Sequence, residues 1–230
     1  MPTNHSRSST MTGTAAPSGE LTPARQPSEA YQHAQQFVSR VHDLCDDPGR
    51  RAALRSGLGR PLDRCARMHA VIASHVPGHA SEARQRAYYA VAAMIASLPP
   101  SARRGAAAAS PSAVTDASPR NLGRCLADGV EARRVRESAA EARISLLTRQ
   151  SLSGLHRHLP ATVRLLTSGS GDVDFAQLLL DLSYWETSRR RIGRFWLQSY
   201  YRGRMYATEK AAAQADDESQ QLPQAAPENH

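Results

Sequence analysis

Apolar residues recur at steps of three and four along most of the chain, and this helical periodicity restricts the fold more than any other feature. Residues spaced in this way share one face of an α-helix, which is then buried against other helices. No window shows the sustained period-two alternation of a half-buried strand. The sequence therefore predicts an all-α protein, a bundle of about eight helices, as one unit or as two packed sub-bundles.

Capping residues and prolines set the expected ends of the first three helices. Ser28 can cap a first helix, which the Pro48-Gly49 pair is expected to end. A second helix is predicted over 62–76 and a third over 81–98, each closed by a proline.

The C-terminal half contains further helical patterns. An apolar piece is predicted over 122–126, and helices are predicted over 131–150 and over 152–166. Two further helices are predicted to begin at Asp174, with Gln177 in a capping box, and at Ser188. The buried stripe predicted for 131–150 consists of Val135, Ala139, Ala142 and Leu146. Pro160 should kink its helix because it lacks a backbone donor. Trp185, Phe195 and Trp196 are expected to fill the core.

Composition separates a folded part from two tails. Residues 1–27 are rich in Ser, Thr and Pro and are predicted to be a disordered tail, as is the acidic segment 208–230. The part between them, 28–207, is predicted to be one all-helical domain. It consists of N-terminal helices over 28–98, a flexible loop over 99–120 and C-terminal helices over 121–207.

The positive charge of the chain is carried almost entirely by arginine. There are 28 arginines and one lysine, and the formal net charge is +8. Residues 28–207 hold 26 arginines against 15 acidic residues, a net charge of +11. Such a surface is typical of proteins that bind polyanions, because arginine contacts to phosphates release condensed counterions. On charge alone, the arginine enrichment of a GC-rich genome explains the composition equally well.

Motifs for catalysis and metal binding are missing from the sequence. There is no GxSxG, P-loop, GxGxxG, CxxC or HExxH pattern, and His75 and His79 lie on either side of a Pro-Gly pair. We therefore predict no enzymatic activity, no metal and no cofactor. Three widely spaced cysteines, with no apolar membrane segment or signal peptide, favour a soluble cytoplasmic protein with reduced thiols.

Six stretches, taken in order, resemble one known family. They are AALRSGLGRPL (52–62), ARQRAYYAVAAMIASL (83–98), NLGRCLADG (121–129), EARISLLTR (141–149), VRLLTSGSGDVDFAQLLLDLSYW (163–185) and the closing RRRIGRFWLQSYY. In this order and spacing they are similar to the CasB family, the small subunit of the type I-E CRISPR complex Cascade. The resemblance implies an all-helical, non-catalytic subunit of an antiviral surveillance complex. It also implies two copies placed head to tail, next to the guide RNA, the target DNA strand, and the large and backbone subunits.

The same resemblance implies a set of nucleic-acid-binding arginines. They are Arg55, Arg84, Arg124, Arg143, Arg149 and Arg164, with Arg60 added from its place in GLGRPL. Their implied role is to hold the backbones of guide RNA and target DNA and so to stabilise the R-loop. The chain departs from the family pattern at Ser56 and at Pro160-Ala161, where relatives often carry basic residues.

Two other functions remain compatible with a basic helical protein. A helix-turn-helix regulator would read duplex DNA with base-contacting side chains clustered on one recognition helix, whereas the arginines here are spread over several helices. An interaction protein with acidic protein partners would have no affinity for nucleic acid even at low salt.

Overall fold

The computed structural model describes residues 28–103, 119–168 and 172–221, with side chains up to residue 217. Within these ranges the chain forms nine α-helices of seven residues or more and no strand, which confirms the all-α prediction. The helices are α1 (Glu29–Leu44), α2 (Pro48–Arg55), α3 (Ala66–Ile72), α4 (Glu82–Ala96), α5 (Leu122–Glu131), α6 (Glu137–Thr148), α7 (Leu152–Thr167), α8 (Phe175–Ser183) and α9 (Trp185–Gln221). The predicted N-terminal tail and the middle of the predicted loop, 104–118, lie outside the described residues.

Side-chain caps begin most of these helices. The capping residues are Ser28, Asp47, Ser81, Asn121, Ser151 and Asp174, and the side-chain oxygen of each accepts a hydrogen bond from the backbone N–H three residues on. These bonds satisfy donors that the first helical turn leaves unpaired. The caps predicted at Ser28, Ser81 and Asp174 are therefore confirmed.

Two predicted helix boundaries in the N-terminal half are wrong. Pro48 does not end a helix but begins α2, where its missing N–H costs nothing because that position has no intrahelical partner. The predicted helix over 62–76 is broken into α3 and two short 3-10 turns, Leu62–Arg64 and Ala73–His75. The break before α3 lies at Cys65, whose φ of −108° and ψ of 30° are not helical.

The single helix predicted over 131–150 is also wrong. The apolar piece over 122–126 belongs to a full helix, α5, which ends at Glu131, and α6 begins at Glu137. Arg133 has a left-handed φ of 54°, and the N–H groups of the next two residues both donate to the carbonyl of Gly129. This left-handed turn closes α5 and separates it from α6.

The buried face of α6 differs from the predicted stripe. Ala140, Ile144 and Leu147 are buried, whereas Ala142 and Leu146 are exposed. The helix is therefore rotated by about one residue from the predicted orientation. Its contacts with α5, α7 and α9 set this rotation, and the sequence of α6 alone does not contain that information.

One connected apolar cluster includes buried residues from α1 to α9. Helix α8 packs against α1 and α4 on one side and contacts α9 on the other, so it joins the two halves of the bundle. The rings of Trp185 and Trp196 lie 5.0 Å apart and are fully buried, as predicted. Phe195 was expected in the core but is 48% exposed, because the adjacent Trp196 is the residue that faces inward.

The longest helix, α9, is fixed against α5 by a close backbone approach. A Cβ added to Gly123 would overlap the carbonyl oxygen of Trp196, so only glycine fits at this crossing. A kink lies at Ser188, with φ −128° and ψ 19°, and the helical segment after it begins where the sequence predicted the last helix. The close approach between Gly123 and Trp196 sets the rotation of α9 and therefore decides which of its side chains face the core.

Part of the segment predicted as an acidic disordered tail is helical in the structure. Helix α9 continues to Gln221, and residues 222–230 lie outside the described part of the chain. Alanine-rich sequence favours helix, and extending an existing helix needs no new nucleus. None of the described helices is long and apolar enough to cross a bilayer.

Candidate nucleic-acid interface

Four arginines from three parts of the sequence line one pocket of about 410 Å³. Arg51 and Arg55 come from α2, Arg103 from the turn after α4, and Arg164 from the last turn of α7. The remaining walls are formed by Ala96, Ser97, Leu98, Pro99, Pro100, Thr167 and Ser168. Among the described residues no carboxylate lines this pocket, so it is suited to an anion. We call it the arginine pocket.

Local sequence explains how these guanidinium groups meet. Arg51 and Arg55 are one helical turn apart and therefore lie on the same face of α2. The backbone N–H of Arg103 donates to the carbonyl of Pro99, and its Nη1 donates to the carbonyl of Leu98 at 3.0 Å. The polar lining residues Thr167 and Ser168 lie at the end of α7, three and four positions after Arg164.

Two of the pocket arginines, Arg55 and Arg164, are exposed and have no ion-pair partner in the described part of the chain. Burial raises the pKa of the Cys45 thiol to about 11, while the positive charges of Arg103 and Arg51 act in the opposite direction. Cys45, at the C-terminal end of α1, therefore lies within the field of two of the four pocket arginines.

Of the seven arginines expected from the sequence, Arg55 and Arg164 are brought together by this pocket. Arg60 is exposed in the loop after α2, next to Gly59, whose φ of 70° is left-handed. Arg143 is half-buried on α6, and Arg149 is exposed at the end of that helix. These three lie on the surface but do not line the pocket.

Arg84 lies in a different environment, near the start of α4. It is half-buried, and its Nε is buried without a hydrogen-bond partner. Two residues on, Arg86 donates to the hydroxyl of Ser153 at 3.3 Å and thereby links α4 to α7. Burial, with a smaller contribution from Arg86, lowers the pKa of His156 to about 4, so this histidine is neutral at pH 7. Arg84 and Arg86 thus form a second basic region, partly packed into the fold.

Arg124 is already engaged with an acid. Its Nε lies 2.8 Å from Asp128, which also accepts from Arg120 at 3.2 Å. Arg120 continues the network through its Nη2, 3.0 Å from Asp172, and through its backbone N–H, 3.0 Å from Asp174. A phosphate would have to compete with Asp128 for the guanidinium of Arg124.

The sequence indicated two of the pocket residues and did not single out the other two. Arg51 was detectable, because it lies four residues before Arg55 and so on the same helical face. Arg103 falls in the segment predicted as a flexible loop, and its position follows from a turn that only the structure shows. No group of three His, Cys, Asp or Glu residues in the described part of the chain could hold a metal ion.

The fold and this site together define a class, a basic all-helical binding protein with an arginine-lined pocket. The family model for the CRISPR-associated protein Cse2 matches residues 50–201, which is more than half of the chain. The chain belongs to the Cse2 family, for which CasB is another name. This confirms the resemblance found in the sequence. No curated protein sequence matches the chain.

Solved structures agree with this assignment. A chain described as part of a CRISPR RNA-guided surveillance complex is 37% identical, with 79% of this chain and 99% of that chain covered and a TM-score of 0.68. A second, from a pre-nicking state, is 38% identical, with 79% and 98% covered and a TM-score of 0.69. The M. ruber CasB structure is 24% identical, with 78% and 97% covered and a TM-score of 0.59, and shows the shared fold.

Proposed function

We propose that this chain is the small subunit of a type I-E CRISPR RNA-guided surveillance complex, in which it holds nucleic-acid backbone and does no chemistry at a bond. The observation that carries the proposal is the arginine pocket, which four arginines line and in which the described lining residues include no acid. The partners are guide RNA, the target DNA strand, the other subunits of the complex and a second copy of this chain.

Backbone contacts of this kind can decide whether a target duplex stays open. When a guide RNA invades a duplex, the new base pairs are about as stable as those they replace, so protein contacts to the backbone tip the balance. Each arginine presents a planar fork that binds two phosphate oxygens without reading a base. The subunit would therefore stabilise the R-loop equally for any target sequence.

Side chains around the pocket support phosphate binding over base reading. The hydroxyl groups of Thr167 and Ser168 already donate to backbone carbonyls of α7, and Leu98 and the two prolines that follow it add apolar lining. A wall of this kind has no fixed pattern of donors and acceptors matched to a base edge. The exposed Arg60 and Arg149 and the half-buried Arg143 would extend phosphate contacts along the strand outside the pocket.

The direct test uses the assembled surveillance complex that contains this chain. In Arg55→Gln/Arg164→Gln, two of the four pocket charges are lost, and we expect the R-loop to dissociate at least tenfold faster. Arg40→Gln is the matched control, because Arg40 is exposed on α1, lies 4.0 Å from Asp43 and does not line the pocket. Unchanged R-loop lifetime in the double variant, with the subunit still assembled, would overturn the proposal.

A further inference from the structure

One face of α9 is exposed from Arg190 to Asp216. Residues at steps of three and four share a face of the helix. On the outward face these residues are Arg190, Arg194, Gln198, Tyr201, Met205, Glu209, Ala212 and Asp216, and every one of them is exposed. The opposite face carries Trp196, Tyr200 and Gly203, which are buried. The outward face therefore has no partner within the described chain.

The charges on this helix are ordered from one end to the other. Its first part carries four exposed arginines, Arg189, Arg190, Arg191 and Arg194. Its last part carries exposed Glu209, Asp216 and Asp217 against a single lysine. Between the two ends lie the large apolar side chains of Tyr201, Met205 and Tyr206, which are 46%, 63% and 60% exposed, with exposed Arg202 beside them. On the outward face itself the order is basic, then apolar, then acidic.

The acidic end projects away from the bundle. From Thr208 to Asp217 every residue is exposed, and this part of α9 lies beyond residue 201, where the match to the family ends. Three large apolar side chains at its base add surface that a partner would remove from water.

We propose that a second copy of this chain covers the outward face of α9, with the two helices antiparallel and crossing at the level of Gly203. Arg190 and Asp216 lie 13 residues before and after Gly203, which corresponds to about 20 Å along the helix in each direction. A two-fold axis at this level brings Arg190 of each copy to Asp216 of the other, and Tyr201 opposite Met205. The surface is complementary to itself only in this orientation, as an isologous dimer requires.

The charge pattern favours this occupant over nucleic acid. A polyanion laid along the face would meet the arginines of one half and be repelled by the acids of the other. An antiparallel helix also places the positive end of each macrodipole beside the negative end of its neighbour. The inference concerns the free chain and goes beyond the proposed function, since a two-fold pair is distinct from copies placed head to tail.

Charge reversal in the full-length chain tests the pairing. The free protein should sediment as a concentration-dependent dimer at low salt. Asp216→Arg/Asp217→Arg places like charges opposite each other at both ends of the pair, and so does Arg189→Glu/Arg190→Glu. Each variant alone should dimerise at least tenfold more weakly. An equimolar mixture of the two should recover the dimer, because both ends of the mixed pair are then oppositely charged. Failure of the mixture to recover, or a monomeric parent chain, overturns the proposal.

Cysteine cross-linking distinguishes the two-fold pair from any head-to-tail contact. The three native thiols are buried and free, so a new surface thiol can be followed alone. Arg202→Cys lies next to the proposed axis and should form a disulfide-linked dimer under mild oxidation. Asp216→Cys should not, because its two copies would be about 40 Å apart. Equal cross-linking at both positions, or none at residue 202, contradicts the antiparallel arrangement.

Discussion

The indole N–H of Trp196 donates a hydrogen bond of 2.6 Å to the carboxyl group of Asp181, and both residues are buried. A second bond to the same carboxyl group comes from the side-chain amide of Gln177 at 2.8 Å. Burial nevertheless raises the pKa of Asp181 from 3.8 to about 6, since two hydrogen bonds do not replace the lost hydration of the charge. The α8–α9 contact therefore contains a titratable group.

This carboxyl group should make stability depend on pH. Because its pKa is higher in the folded protein than in the unfolded chain, its contribution is fully present below about pH 4 and is lost as pH rises through 6. Asp181→Asn has no ionisable group at this position, so its free energy of unfolding does not fall in this way as pH rises. Relative to the parent chain, the variant should therefore gain about 2 kcal/mol between pH 4 and pH 7. Urea denaturation at both pH values measures the difference, and a constant difference contradicts the assignment.

The close contact between α5 and α9 predicts a sharp effect of one methyl group. In Gly123→Ala the added Cβ would meet the backbone carbonyl of Trp196, which cannot move without displacing α9. We expect a loss of about 3 kcal/mol in the free energy of unfolding. Gly78→Ala is the control, because no atom lies within 4 Å of the added Cβ, and it should change stability by less than about 0.5 kcal/mol. Equal stability of the two variants would refute the contact.

Arg120 should act in folding and not in nucleic-acid binding. Arg120→Met removes the guanidinium shared by Asp128 and Asp172, and we expect a loss of about 1–2 kcal/mol for this partly exposed network. Affinity for single-stranded RNA should stay unchanged. Arg134→Met, at an exposed position with no ion pair in the described part of the chain, should leave both quantities unchanged. Weaker RNA binding at full stability in Arg120→Met would contradict this role.

Features that depend on neighbouring residues in the sequence were predictable. The caps at Ser28, Ser81 and Asp174 follow from local hydrogen bonds within three residues, and the all-α class follows from periodicity. The exposure of Phe195 was not predictable, because the rotation of α9 is set by contact with a glycine more than seventy positions earlier. The helical structure of 208–217 required knowing that α9 continues without a further break after Ser188.

In the candidate site, too, some features were predictable from the sequence and others were not. Sequence resemblance indicated Arg55 and Arg164, which are more than one hundred positions apart, and could not show that they share a pocket. Arg103 joins them through a turn between α4 and the segment outside the described residues. The engagement of Arg124 with Asp128 also became visible only in three dimensions.

The salt dependence of binding tests the central claim, that the arginine pocket holds nucleic-acid phosphates. Log affinity for single-stranded RNA should fall linearly with log salt, by about 0.7 for each phosphate contact. In Arg55→Gln/Arg164→Gln, the loss of two contacts should reduce the magnitude of this slope by about 1.4, while Arg40→Gln leaves it unchanged. A slope near zero for the parent chain, or the same slope in the double variant, would contradict the account.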